Sequence, residues 1–215
     1  MKKSILVSFL MFANVLHAGI DPTLYEPTTK VFNPIGDGSS VEVVEFFWYG
    51  CPHCFSSEPV IDEIVKQLPK GASFVRVPAA INDRWMVEAN LYYSLVNLKL
   101  IDTVHSAIFH GIHRSGDLRA SLGTNLQGYA KFINAKYKVP IEEFEAMSNS
   151  FGVKTSVSRA RSLAVHYEIK GVPALFIAGR YKLKNLDTTK ISAIAETVRE
   201  LLLLEIGKNK KSVKK

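Results

Sequence analysis

Cys51 and Cys54 are the only cysteines in a chain of 215 residues, and they enclose Pro52 and His53. Two sulfurs at that spacing can close a small ring or stay as a dithiol, which is the requirement for thiol–disulfide exchange. Before them lies Val41-Glu42-Val43-Val44-Glu45-Phe46-Phe47-Trp48-Tyr49, a β-branched and aromatic run that predicts a buried strand, broken by Gly50. After them Phe55, Val60, Ile61, Ile64, Val65 and Leu68 recur at helical spacing from Cys54 to Leu68. The dithiol therefore sits where a strand passes into a helix. Unpaired N–H groups and the positive end of the helix dipole favour a thiolate there, with Cys51 facing solvent and Cys54 one turn inward. Pro52 suits the first helical turn, where its missing N–H costs nothing. His53 adds a donor and, when protonated, a charge. Both favour the Cys51 thiolate and hence the reduced form, and a protein whose reduced form is favoured oxidises other thiols. With no other cysteine in the chain, a purely structural bridge would close only a tiny loop of little entropic value, and a zinc site would lack ligands.

The elements that must hold this pair follow in order. Residues 19–40, rich in Pro, Gly and Ser, predict an extended arm with an edge strand near Thr28–Phe32. The strand Val41–Trp48, the helix with Pro59 as a kink, and a strand Ser73–Val77 form a βαβ unit. Helical patterning then fills Arg84–Leu100, Thr103–His113, Asn125–Tyr137 and Pro140–Asn149, with Asp102 a candidate cap and Gly116 and Gly123 turns. A helix Thr155–Tyr167 leads back to a turn, Lys170-Gly171-Val172-Pro173, and a buried strand ending at Ile177. A hairpin at Gly179-Arg180, a strand Tyr181–Lys184 and an amphipathic helix Thr189–Ile206 complete the pattern.

Cys51-Pro52-His53-Cys54 after Glu45-Phe46-Phe47, with Val172-Pro173 ahead of a strand, hairpin and helix, resembles the DsbA-type thiol:disulfide oxidases of the bacterial periplasm. The resemblance runs from about Tyr25 to Ile206. It implies an α/β thioredoxin fold in two parts, residues 19–82 and 151–207, with a helical domain inserted at 83–150. It implies that Pro173 is cis and faces the dithiol, leaving the backbone of Val172 to pair with an extended substrate chain. It implies that Glu45 lies buried beneath the cysteines and aids proton movement at Cys54. The alternative for Glu45 is a solvent-facing strand carboxylate, since Glu is rarely buried. Arg76 falls where the family commonly has Lys, and arginine cannot give up its proton. The resemblance also implies substrates among newly exported, cysteine-containing proteins and a membrane reoxidant of DsbB type, linked to quinone. No flavin or nicotinamide motif is present, so the redox group is the Cys51–Cys54 pair itself.

Met1-Lys2-Lys3-Ser4, an apolar run from Ile5 to Val15, and Ala18 predict a secretory leader over residues 1–18, and the resemblance implies a periplasmic destination. The run is short for a membrane span, the alternative reading. The formal charge of +7 comes entirely from Lys2 and Lys3 and from five tail lysines between Lys208 and Lys215, so residues 19–207 are neutral. That balance argues against nucleic-acid binding, and residues 208–215 predict a solvated, disordered tail. His105, His110 and His113 lack matching acidic or sulfur ligands, which favours surface histidines over a metal site. Two rival functions stand beside the oxidase: a disulfide isomerase or reductase, and a chaperone-like thioredoxin-fold binding module with idle cysteines. The Pro-His pair between the cysteines, which tunes reactivity, argues against the second.

Overall fold

A computed structural model describes residues 20–212; the leader expected over residues 1–18 lies outside them, as do residues 213–215. Strand β1 is Tyr25–Pro27 and pairs antiparallel with the later hairpin, so the arm's edge strand forms at Tyr25 rather than at the expected Thr28–Phe32. The Thr28 and Phe32 N–H groups instead donate to the carbonyls of Arg180 and Gly179, outside any strand ladder. Strand β2, Val41–Phe47, is buried along its whole length. Helix α1 follows, Pro52–Lys66, with Cys51 as its N-cap; it starts two residues before the expected Cys54 and runs unbroken through Pro59. Strand β3, Ala72–Pro78, pairs parallel with β2.

Five helices occupy the stretch before the chain returns to the sheet: α2 Asp83–Asn97, α3 Ile101–His110, α4 Gln127–Tyr137, α5 Ile141–Ser148 and α6 Phe151–His166. Asn82 caps α2 through Trp85 N–H and Ser150 caps α6 through Val153 N–H. Asp102 does not cap α3: Leu100 holds that position without a side-chain bond, and Asp102 lies inside the first turn, where its charge still complements the helix dipole. The final turn of α3 widens into a π-helix, Gly111–Ser115, closed by Gly116 at φ +84°. Strands β4, Ala174–Ile177, and β5, Tyr181–Leu183, and helix α7, Ile191–Ser212, complete the chain. Helix α7 runs past Ile206, so the tail expected to be disordered from Lys208 begins within it. Lys208 Nζ lies 2.6 Å from Glu205 Oε1, and lysines suit the negative end of a helix.

The sheet order is β1-β5-β4-β2-β3, with β2 central. Alternation along β2 sends Val43 toward α1 and α7, where Ile61, Ile64, Ile194 and Leu202 pack, and sends Val44 and Phe46 toward α6, against Ala160 and Ala164. Glu45 shares the α1 side by the same period. A third core, built by α2 to α5, surrounds Phe47, Tyr49 and both cysteines. The inserted helices thus bury the end of the central strand, and with it the dithiol.

Candidate active site

Cys51 Sγ accepts a hydrogen bond from Cys54 N–H at 3.3 Å, the cap bond of α1. In this dithiol state the Cys51 thiol also donates to Val172 O at 3.3 Å. The Cys51 thiol is held down at about 6. Its largest support is a hydrogen bond from the Cys54 thiol; burial opposes it; backbone N–H groups of Cys54 and His53 follow, and the His53 charge comes last. The ranking reorders the sequence reading, in which His53 was prominent. His53 is exposed, so water screens its charge. Cys51 does not face solvent freely either. It is 8% exposed and Cys54 is fully buried, because the inserted helices close over the strand end. Burial, and then the neighbouring Cys51, push the Cys54 thiol far above the ordinary range, so Cys54 stays protonated.

Glu45 lies beneath, fully buried, with Oε2 bonded to Arg76 Nε at 2.8 Å; the two are cross-strand partners on β2 and β3. This excludes the solvent-facing alternative. Its Oε1 is buried without a hydrogen-bond partner. Burial raises the Glu45 pKa despite the arginine. Arg76 Nη2 also reaches Glu58 Oε2 at 3.2 Å, and burial holds that second carboxyl at about 7. Glu58 escaped the sequence reading. The signal was its place one turn after Cys54, on the same face of the helix.

His105, expected at the surface, is 5% exposed. Its Nδ1 lies 2.8 Å from the Tyr49 hydroxyl and its Nε2 3.4 Å from Glu58 Oε2. Burial, and then the charge of Arg76, lower it to about 3, so the ring is neutral. His113 Nε2 meets the carbonyl of Tyr49 at 2.8 Å, and His110 is exposed. The three histidines thus serve different partners, and no metal-binding cluster occurs among the described residues.

Across the dithiol the Val172–Pro173 peptide is cis. A groove of about 340 Å³ runs beside it, lined by His53, Ser56, Ser57, Val172, Pro173 and Leu186 among others. Pro52 opens α1. Cys51, Pro52, His53, Cys54, Glu45, Val172 and Pro173 are therefore gathered at one place, where a sulfur prone to ionise stands over a protonated one, flanked by an open groove.

No protein-family model matches the chain. Individual proteins do. The thiol:disulfide interchange protein DsbA of Azotobacter vinelandii is 36% identical over 149 residues, 69% of this chain and 67% of that protein. Its counterpart in Burkholderia cepacia is 35% identical over 181 residues, 84% of this chain and 82% of that one. The crystal structure of Pseudomonas aeruginosa DsbA superposes with a TM-score of 0.67 at 31% identity, covering 89% of this chain and 94% of the other. Oxidoreductase DsbA from Xylella fastidiosa gives 0.73 at 26% identity, covering 86% and 96%. The mixed sheet with its inserted helices is a thioredoxin fold with a helical insertion. On sequence, fold and the setting of its two cysteines together, the chain belongs to the DsbA family of thiol:disulfide oxidoreductases.

Proposed function

We propose that the protein oxidises cysteine pairs in newly exported polypeptides, with Cys51 as the sulfur that substrates attack. In the oxidised form a Cys51–Cys54 bond is present. A substrate thiolate attacks Cys51 Sγ, the S–S bond breaks, and Cys54 departs with the electron pair. Burial disfavours a thiolate at Cys54, so it takes up a proton, and Glu45 supplies it. The free Oε1 of Glu45 and its raised pKa support that role. A second substrate thiolate then attacks the substrate sulfur of the mixed disulfide and expels Cys51 as thiolate. Two electrons pass to the dithiol and the substrate gains a disulfide.

Pro52 and His53 shape the helix start that lowers the Cys51 pKa. The backbone of Val172, beside Pro173, receives the extended substrate: once Cys51 carries no proton, the Val172 carbonyl is released for pairing. The protein works in the periplasm, holds no bound cofactor beyond its own disulfide, and is reoxidised by a membrane partner of DsbB type linked to quinone. The leader and the class of its relatives support this setting.

The observation that carries the reading is the donor set on Cys51 Sγ, which no other sulfur among the described residues shares. The test follows thiolate absorbance of the purified protein against pH and its redox equilibrium with glutathione. A thiolate forming near pH 6 and a potential above about −200 mV are expected. An ordinary thiol near about 8.5, or a potential near thioredoxin's about −270 mV, overturns the oxidase reading. In a second assay Cys54→Ala accumulates mixed disulfides with exported proteins, whereas Cys51→Ala does not.

A further inference from the structure

Two cation-bearing aromatic stacks flank the dithiol on the side of the inserted helices. The Trp48 ring folds over Gly50, so closely that a Cβ there would lie 2.4 Å from it, and Trp48 O accepts the Cys51 N–H at 3.0 Å. Trp48 stacks on Trp85 at 4.6 Å and 9°, and the Arg84 guanidinium stands 5.7 Å over the Trp48 ring. On the other flank Phe55 lies one turn beyond Cys51. His113 stacks on it at 5.2 Å and 10°, His110 meets its edge at 5.3 Å, and Arg114 lies over it at 5.6 Å. The π-helix that ends α3 carries His113 and Arg114 to this position.

Arg84 and Arg114 are exposed, and among the described residues neither forms an ion pair, whereas Arg76, Arg180 and Arg199 do. Neither arginine pairs with a nearby acid, including Asp83, which precedes Arg84 and is exposed. Glu88 is buried and bonded to Trp48, and Asp117 is bonded by Ser115. Stacking on a ring orients a guanidinium while leaving its N–H groups free for an acceptor.

We infer that this rim is an anion-accepting subsite, which favours substrate segments carrying Asp or Glu beside the reacting cysteine. A chain laid along Val172 and Pro173 crosses Cys51 and sends its flanking side chains toward Arg84 on one side and Arg114 on the other. Carboxylates there meet unpaired guanidinium groups, and the protein's net neutrality between residues 19 and 207 gives no general attraction to acids that could replace this local one. The inference rests on the exchange reading above, and its test separates the two.

Three dithiol peptides, with Glu, Gln or Lys flanking each cysteine, are reacted with the oxidised protein. Each rate is divided by that peptide's rate with uncharged hydroxyethyl disulfide, which removes the effect of flanking charge on the thiol itself. At low salt the Glu peptide is expected to lead the Gln peptide by about 5- to 20-fold and the Lys peptide by more, with the gaps closing at about 0.5 M salt. Arg84→Glu with Arg114→Glu reverses the order, and Arg84→Gln with Arg114→Gln flattens it. Equal normalised rates in the wild type, or an order unchanged by both double variants, overturn the subsite. Peptides with Ser for Cys, titrated by tryptophan fluorescence, report the same preference without chemistry. If no peptide is oxidised, the exchange reading fails, and this binding order alone upholds or overturns the rim.

Discussion

Two buried carboxylates sit on opposite sides of the strand end that carries the cysteines, and they are built differently. Glu88, on α2, is saturated: Trp48 Nε1 donates to it at 2.8 Å, Gly123 N–H at 2.7 Å and the Tyr129 hydroxyl at 2.9 Å. Among the described residues no cation pairs with it. Glu45, on β2, has one arginine on one oxygen and nothing on the other. A saturated buried carboxylate fixes geometry, since every donor aimed at it is stranded if it moves. Burial raises the pKa of both, but a carboxylate short of partners can change protonation state with fewer bonds to break. Glu88 ties the insertion to the strand, and Glu45 keeps one oxygen without a partner beneath the sulfurs, as the proposed proton transfer requires.

The contrast can be broken experimentally, and the largest effect falls on the saturated side. Glu88→Ala strands three donors, one buried and two partly buried, so urea unfolding is expected to show a loss of about 3 kcal/mol, with the potential against glutathione little changed. A large change in potential with intact stability would reverse the two roles. Glu45→Gln removes one partner of the buried ion pair with Arg76, so a stability loss of about 1–3 kcal/mol is expected, held below the Glu88 loss because Glu58 still faces the guanidinium. It slows release of Cys54, read by stopped-flow, by about tenfold or more. An unaltered rate removes Glu45 from the proton path.

A smaller effect sharpens the pH behaviour. Glu58 titrates at about 7 when folded, against 4.5 for a free carboxyl, so the folded state binds more protons between those values and stability falls as pH rises through that window. Glu58→Gln flattens that slope in denaturation at stepped pH; an unchanged slope assigns it to another group. Cys51 acts with the opposite sign. Its depressed pKa stabilises the reduced form relative to the oxidised one as pH rises above about 6. The smallest change is His53→Ala, expected to raise the Cys51 pKa by at most about one unit, since the exposed imidazole contributes least to the thiolate. A larger rise in the thiolate titration would place the imidazole among the main supports.

The strand, the dithiol at the helix start and the proline turn were legible because each is local. β-branched alternation, a Gly break and the Cys-Pro-His-Cys spacing are written in adjacent residues. Glu45 and Arg76 were legible through the resemblance. Glu58, His105 and Glu88 were not, or not in their true setting, because their partners stand far off in the chain. Tyr49 meets His105 across 56 positions, and Trp48 meets Glu88 across 40. Nothing near His105 in the sequence distinguishes it from His110, which is exposed. The end of α3 likewise reads as one continuous helix, and its widening into the π-helix goes with contacts to distant residues, among them Leu118 on Gly111 and His113 on the Tyr49 carbonyl.

By itself the sequence determined the reactive pair, its position between strand and helix, and the order of elements around it, since these follow from backbone propensity and from chemistry confined to a few neighbouring residues. The tertiary structure decided how strongly the two sulfurs differ, which carboxylates are left short of partners, and which exposed arginines stack on rings beside the dithiol. Those quantities depend on burial and on the charges facing each group, and burial exists only once distant segments close over one another.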